Sequence, residues 1–187
     1  MTVTTLDENT ALIVIDLQQG IVPRPLPPPI ERVVQNAAAL AEAFRRQGRP
    51  VVLVNVAGSA PGRTEVSRPP MRPPPGWTDL IPELNQQPGY HVVTKHTRGA
   101  FTETGLEAHL KARGVTQVVI AGIATSSGVE VTAVQAYEAG FNVALATDAM
   151  FDPRAEAHAY SLASVFPRLG ETGSTADILA LLNGRPA

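Results

Sequence analysis

The stretch from Gln117 to Gly140, QVVIAGIATSSGVEVTAVQAYEAG, constrains the fold of this chain more than any other. It opens with Val118–Ile120, an apolar run rich in β-branched residues that is typical of a strand buried on both faces of a parallel sheet. Small residues follow, and apolar residues then recur at helical spacing until Gly140, a typical residue just beyond a helix end. The stretch therefore predicts a strand, a sharp turn and a helix.

The turn in this stretch is a candidate binding site. Backbone N–H groups at the start of a helix lack intrahelical partners and lie at the positive end of the helix dipole. Because the turn would lie just past the carboxyl edge of a sheet, it can hold an anion or a developing oxyanion. Ser127 and Glu130 have the spacing of a capping box. An ordinary connection between a strand and a helix is the alternative.

Apolar runs of strand length alternate with helical segments along the chain. The predicted strands are Ala11–Ile15, Val51–Val56, Tyr90–Thr94, Val118–Ile120, Val143–Thr147 and a last edge strand at Pro167–Glu171. Besides the helix after Gly128, the predicted helices are Ile30–Gln47, Thr104–Arg113, Ala155–Val165 and Thr175–Leu182. This alternation predicts an α/β fold with a doubly wound parallel sheet.

The composition fits one soluble domain. With 187 residues and 44% hydrophobic composition, we expect a single domain over residues 1–187. A net charge of −2 without a basic run argues against nucleic acid or a membrane as partner and favours a small-molecule substrate. The absence of cysteine excludes disulfides and a thiol nucleophile. Because neither a signal peptide nor a run of the ~20 apolar residues that cross a bilayer is visible, we expect a cytoplasmic protein.

Two charged residues follow predicted strands. Asp16 comes directly after Ala11–Ile15, and Lys95 comes directly after Tyr90–Thr94. Since the carboxyl ends of parallel strands share one edge of a sheet, the two can meet there. A lysine lowers the pKa of a neighbouring carboxylate while burial raises it, so the pair is a candidate acid/base. The alternatives are a cap for Asp16, a solvated surface charge for Lys95 and a structural ion pair for both.

The histidines give no sign of a metal site. The chain has four of them, His91, His96, His109 and His158, and no pair has metal-ligand spacing. We therefore expect neither a metal nor another cofactor.

Two segments show neither the helical nor the strand period of apolar residues. Pro23–Pro29 is a stiff proline-rich arm, and Ala57–Gly76 is a long loop rich in Gly, Pro, Ser and Arg. Loops of this length are usually lids or interface arms, with disorder as the alternative. Trp77 is expected to anchor the end of the loop by packing.

Three blocks of sequence resemble the isochorismatase-like hydrolase superfamily, which includes cysteine amidohydrolases and true isochorismatases. They are ALIVIDLQQG around Asp16, TKHTRGAFTETGLEAHL around Lys95, and VVIAGIATSSGVEVTAVQAYEAGFNVALATDAM. The resemblance covers nearly the whole chain. It implies a Rossmann-like three-layer α/β/α fold with a mostly parallel six-stranded sheet, and, together with the proline-rich arm and the long loop, a homo-oligomer.

The resemblance also implies roles for individual residues. Asp16 matches the catalytic acid/base and Lys95 matches its lysine partner. A cis peptide would fall at Ile123–Ala124, and the N–H groups of Ala124 and Gly128 would form an oxyanion hole. Thr125 and Ser127 belong to the same substrate-binding turn.

The chain departs from the cysteine hydrolases at the nucleophile. Gly128 occupies the cysteine position of the pattern GIATxxCVExTA, so a covalent thioester mechanism is excluded. True isochorismatases also resemble this chain in having glycine there, and in them the aspartate is thought to protonate a vinyl ether. We therefore expect Asp16, Lys95 and Gly128 to form the site of a hydrolase that works without a covalent intermediate. The alternatives are a small-molecule binding protein without activity, an amidase that uses Ser127 or Ser126, and an engineered exchange of cysteine for glycine at position 128.

Overall fold

The computed structural model describes residues 3–66 and 72–184. The strands are β1 (Thr10–Ile15), β2 (Val51–Val56), β3 (His91–Lys95), β4 (Gln117–Ile123), β5 (Asn142–Phe151) and β6 (Glu171–Gly173). The α-helices are α1 (Pro28–Arg46), α2 (Leu106–Ala112), α3 (Glu130–Glu138), α4 (Ala155–Tyr160) and α5 (Thr175–Leu182). Shorter helical turns cover Pro82–Leu84, Thr125–Val129, Ser161–Val165 and Phe166–Arg168.

The six strands form one sheet in the order β3-β2-β1-β4-β5-β6, and every neighbouring pair is parallel. Strands β1, β2 and β4 are buried along their whole length because helices cover both faces of the sheet. Side chains of α1 and α5 pack on one face, and side chains of α2 and α3 pack on the other. The predicted Rossmann-like α/β fold is confirmed. A single domain over residues 1–187 stays a prediction.

The order of the strands reverses between β1 and β4. The chain moves outward from β1 to β2 and β3, and then returns to place β4 on the other side of β1. Gly122 allows these two strands to lie close together, since its φ is 120° and a Cβ atom there would lie 2.1 Å from the carbonyl oxygen of Ile15. In open α/β sheets, ligands bind beyond the carboxyl ends of the strands at such a reversal.

The prediction of the last edge strand is wrong in its position. The strand was expected over Pro167–Glu171, but β6 begins only at Glu171. Phe166 explains the difference, because it is fully buried in the core and starts a short helical turn over Phe166–Arg168.

The predicted capping box is also wrong. The helical turn Thr125–Val129 runs directly into α3, and no side chain caps the start of either segment. Glu130 instead accepts a hydrogen bond of 2.6 Å from the hydroxyl of Ser161. The carboxylate therefore links α3 to the end of α4 rather than to its own first turn.

The long loop has no regular structure where it is described. Residues 57–66 and 72–76 form neither helix nor strand, and residues 67–71 lie outside the described part of the chain. The ring of Trp77 covers Gly20, where a Cβ atom would lie 2.1 Å from the indole. The N–H group of Gly20 donates to the Trp77 carbonyl at 2.9 Å, so the expected packing anchor is confirmed. Among the helices of residues 3–66 and 72–184, none has the length and hydropathy that crossing a bilayer requires.

Candidate active site

Asp16 and Lys95 form an ion pair at the carboxyl edge of the sheet. Asp16 follows β1, and Lys95 ends β3 two strands away. Lys95 Nζ lies 2.8 Å from Asp16 Oδ2, and only 2% and 8% of the two side chains are exposed. Lys95 also donates to the carbonyl of Thr97 at 3.3 Å. The predicted meeting of the two residues is confirmed. The alternative interpretation, in which Lys95 is a solvated surface charge, is wrong.

The surroundings of Asp16 favour its neutral form. Burial raises the pKa of the carboxyl group to about 6, although the charge and the hydrogen bond of Lys95 act in the opposite direction. The second carboxyl oxygen, Oδ1, is buried and has no hydrogen-bond partner within the described residues. A carboxyl group with a pKa near 6 can give or take a proton at neutral pH.

The turn after β4 forms the wall beside Asp16. The peptide bond between Ile123 and Ala124 is cis, as the resemblance implied. Ala124, Ser127 and Gly128 line the same cleft as Asp16. A Cβ atom on Gly128 would lie 3.2 Å from Asp16 Oδ2 and 3.0 Å from Ile15 Cγ2, so glycine is the residue that packs beside the carboxyl group without crowding it. An oxyanion hole formed by the N–H groups of Ala124 and Gly128 stays a prediction.

The side chains of Thr125 and Ser126, which lie between Ala124 and Ser127, form hydrogen bonds with residues outside the turn. Thr125 is fully buried, and its hydroxyl lies 2.8 Å from Nδ1 of His158, so the structure does not bring this side chain to the cleft. The hydroxyl of Ser126 donates to Asp152 at 2.6 Å, and its N–H donates to the same carboxyl oxygen at 2.8 Å. Of the three hydroxyl groups in this turn, only that of Ser127 belongs to a residue that lines the cleft.

Asp152 and His158 hold the turn in place, and neither was predicted as part of the site. Burial raises the pKa of Asp152, but hydrogen bonds from Ser126 and Arg154 outweigh it and hold that pKa below its usual value. Asp152 directly follows β5, as Asp16 follows β1, but the strand was predicted to end at Thr147 and in fact continues to Phe151, so the pattern did not reveal Asp152. No comparable signal marks His158, because its contact joins α4 to a turn 33 residues earlier.

The cleft carries an excess of positive charge. It has a volume of about 1570 Å³, and Asp16 is the only carboxylate among its lining residues in the described part of the chain. Lys95, Arg63 and Arg98 line it as cations, and His96 is a further lining residue. Neither arginine has an ion-pair partner within residues 3–66 and 72–184. These charges favour an anionic ligand.

Metal ligation has no support in the described structure. Within its residues, no group of three or more His, Asp or Glu side chains could hold a metal ion. The absence of a metal and of any other cofactor stays a prediction.

The parallel sheet places the chain in the Rossmann-like α/β class, with a buried acid, a lysine and a backbone turn at the strand reversal. Residues 10–177 match the isochorismatase domain family. The chain belongs to the isochorismatase family, and it is a hydrolase that acts on a small molecule.

Three relatives illustrate this similarity. The chain is 37% identical over 182 residues to the uncharacterized isochorismatase family protein YwoC of Bacillus subtilis (strain 168), covering 92% of this chain and 93% of YwoC. It is 38% identical over 182 residues to the uncharacterized isochorismatase family protein YecD of Escherichia coli O157:H7, covering 94% of this chain and 97% of YecD. A solved isochorismatase family structure from Burkholderia thailandensis superposes with a TM-score of 0.91 at 40% identity, covering 97% of this chain and 100% of that one.

Proposed function

We propose that the protein hydrolyses an anionic enol ether by non-covalent acid/base catalysis, with Asp16 as the acid. The observation that carries this proposal is the position of Asp16 directly beside Gly128. The carboxyl group has a pKa raised to about 6, and the position beside it holds a residue without a side chain. The site thus offers a proton donor that lines an open cleft, and no thiol for a thioester.

The reaction needs only Asp16 and water. The neutral carboxyl group gives its proton to the terminal carbon of the enol double bond, and the electrons of that bond form the new C–H bond. An oxocarbenium ion results. Water then adds to the oxocarbenium carbon and returns a proton to the Asp16 carboxylate. The hemiketal breaks its C–O bond as its hydroxyl proton moves to the leaving oxygen, which gives a ketone and an alcohol.

Lys95 and the turn after β4 have supporting roles. The ammonium group of Lys95, 2.8 Å from Asp16 Oδ2, stabilises the carboxylate that remains after proton transfer. We assign the N–H groups of Ala124 and Gly128 to an oxyanion hole that stabilises negative charge on the hemiketal oxygen. Ser127 contributes to the wall of the binding cleft.

The substrate is assigned as an anion because of the lining charges. Arg63 and Arg98 face the cleft without carboxylate partners in the described residues, and His96 lies beside them. Planar guanidinium groups match carboxylates through pairs of parallel hydrogen bonds. A carboxylated enol ether, such as isochorismate, combines the labile bond with the charge that this cleft selects.

We also propose that the protein is a cytoplasmic homo-oligomer in which a second subunit helps to close the cleft. Residues 57–64 line the cleft and are largely exposed, which is typical of a loop that a neighbouring subunit covers. Light scattering at micromolar concentration tests this assembly, and a monomer would contradict it.

The function is tested by assaying wild type, Gly128→Cys and Ser127→Ala against isochorismate, a simple carboxylated enol ether and small amides. We expect wild type and Ser127→Ala to turn over enol ethers. Gly128→Cys should be impaired because its Cβ atom would lie 3.0 Å from Ile15 Cγ2 and 3.2 Å from Asp16 Oδ2, so the new side chain crowds the acid. Amidase activity gained only in Gly128→Cys, with an inactive wild type, would indicate a binding protein derived from cysteine amidohydrolases. Wild-type amidase activity lost in Ser127→Ala would identify the serine as nucleophile.

A further inference from the structure

A second cluster of cationic and aromatic side chains lies at the opposite edge of the sheet, where β2 and β3 begin. It surrounds an open cavity of about 420 Å³. The length of β3, about 13 Å from His91 to Lys95, separates it from the ion pair of the active site. Its charged and aromatic members are Arg45, Arg49, Arg113, His91, His109 and Tyr90. No carboxylate lines this cavity among the described residues.

The two histidines of the cluster lie against each other and beside Arg113. Their rings stack with centroids 3.6 Å apart and an angle of 10° between the planes. Burial lowers the pKa of His91, and the charge of Arg113 lowers it further. Burial also lowers the pKa of His109, with additional effects from His91 and Arg113. Arg113 Nε donates to His109 Nε2 at 3.0 Å, so that ring is neutral and carries its proton on Nδ1.

Two of the three guanidinium groups have no counter-ion. Arg113 donates to His109, and Arg49 donates to the backbone carbonyl of Asp7 at 2.8 Å. Neither forms an ion pair within residues 3–66 and 72–184, so most of their N–H donors remain available. The third, Arg45, is paired with Glu42.

Helix dipoles do not cancel this charge. The carboxyl ends of α1 and α2 lie beside the cavity and contribute together about one negative charge. The unpaired arginines supply about two positive charges, which leaves an excess of about one. An anion with one charge would neutralise that excess and accept the free N–H donors.

We propose that this cluster is a second binding site that takes a phosphate group. The guanidinium forks of Arg49 and Arg113 suit a tetrahedral oxyanion, which can accept pairs of parallel hydrogen bonds. The cavity is larger than a phosphate group and is open, so either free phosphate or the phosphate of a small metabolite fits. The site is distinct from the cleft that holds Asp16.

The test is a titration with inorganic phosphate at constant pH and ionic strength, followed by NMR of the histidine ring protons. We expect saturable shifts of the His91 and His109 signals, while the signal of His158 stays unchanged. Arg113→Gln should weaken phosphate binding at least about tenfold, because it removes a charged donor. Arg168→Gln removes the same charge outside the cluster and should bind phosphate like wild type.

Two further arms complete the experiment. Glycerol 2-phosphate is titrated in parallel, and tighter binding of this ester than of inorganic phosphate identifies a phosphorylated metabolite, whereas the reverse identifies free phosphate. Arg49→Gln is a second variant in case Arg113→Gln unfolds, which circular dichroism reveals. Shifts that are absent or do not saturate in wild type, or equal weakening by Arg168→Gln, would overturn the proposal.

Discussion

The two walls of the active-site cleft differ in how firmly the protein holds them. Asp16 and Lys95 are almost completely buried, and the neighbouring turn is fixed by Asp152 and His158. The opposite wall, residues 57–64, is a largely exposed loop without helix or strand. Reacting groups need positions fixed to a fraction of an ångström, whereas substrate recognition tolerates adjustment. Changes in the rigid wall should therefore affect kcat, and changes in the exposed wall should affect KM.

The largest expected effect is that of Asp16→Asn in the rigid wall. The substitution keeps the shape of the side chain and removes the proton donor, so kcat should fall about a hundredfold to ten-thousandfold with little change in KM. Steady-state kinetics on the substrate identified above measure both constants. Asp79→Asn is the control, since Asp79 lies outside the cleft. A kcat of Asp16→Asn close to that of the control would remove Asp16 from the mechanism.

The next largest effect is expected for Lys95→Met, which should lower the stability of the protein as well as its activity. Loss of the lysine raises the pKa of Asp16 further above its value in the unfolded chain. The folded state then binds the proton more tightly, so stability is retained at low pH and lost as pH rises through the folded pKa.

Urea unfolding at pH 5 and pH 8 measures this effect. We expect a loss of about 3–5 kcal/mol in the free energy of unfolding at pH 8, and a smaller loss at pH 5. Lys111→Met is a matched control, because Lys111 forms an exposed ion pair with Glu107 and its loss should cost at most about 0.5 kcal/mol. Equal losses at both pH values would show that Asp16 does not titrate in response to Lys95.

The smallest expected effect comes from Arg63 in the exposed wall and from Arg98, an exposed residue that follows β3. Arg63→Gln and Arg98→Gln should each raise KM for a carboxylated substrate about tenfold, because each removes a charged donor, while kcat changes less than about twofold. Arg168→Gln outside the cleft is the control for net charge. If either cleft variant lowers kcat as strongly as Asp16→Asn, the proposed division between the two walls is wrong.

The sequence predicts the rigid wall better than the exposed one. Asp16 and Lys95 each follow an apolar run, and parallel strands bring such ends together whatever their separation along the chain. The same logic predicts the sheet itself. Residues 57–64 have no period, so nothing in the sequence indicates which of their side chains face the cleft.

Contacts between distant segments also escape sequence reasoning. Thr125 and Ser126 belong to the predicted substrate-binding turn, yet their side chains bind His158 and Asp152 instead. Burial of Phe166 displaces the expected edge strand in the same way. In each case tertiary packing selects one of several partners that local pattern allows.

The pH dependence of kcat/KM in the wild type tests the central claim most directly, because this ratio reports the pKa values of the free enzyme. Asp16 has a pKa of about 6 and acts in its neutral form if it protonates the substrate. We therefore expect kcat/KM to be constant below about pH 6 and to fall about tenfold per pH unit above it. A ratio that instead rises up to pH 6 and then stays level would show that the carboxylate is the active form, and would contradict acid catalysis by Asp16.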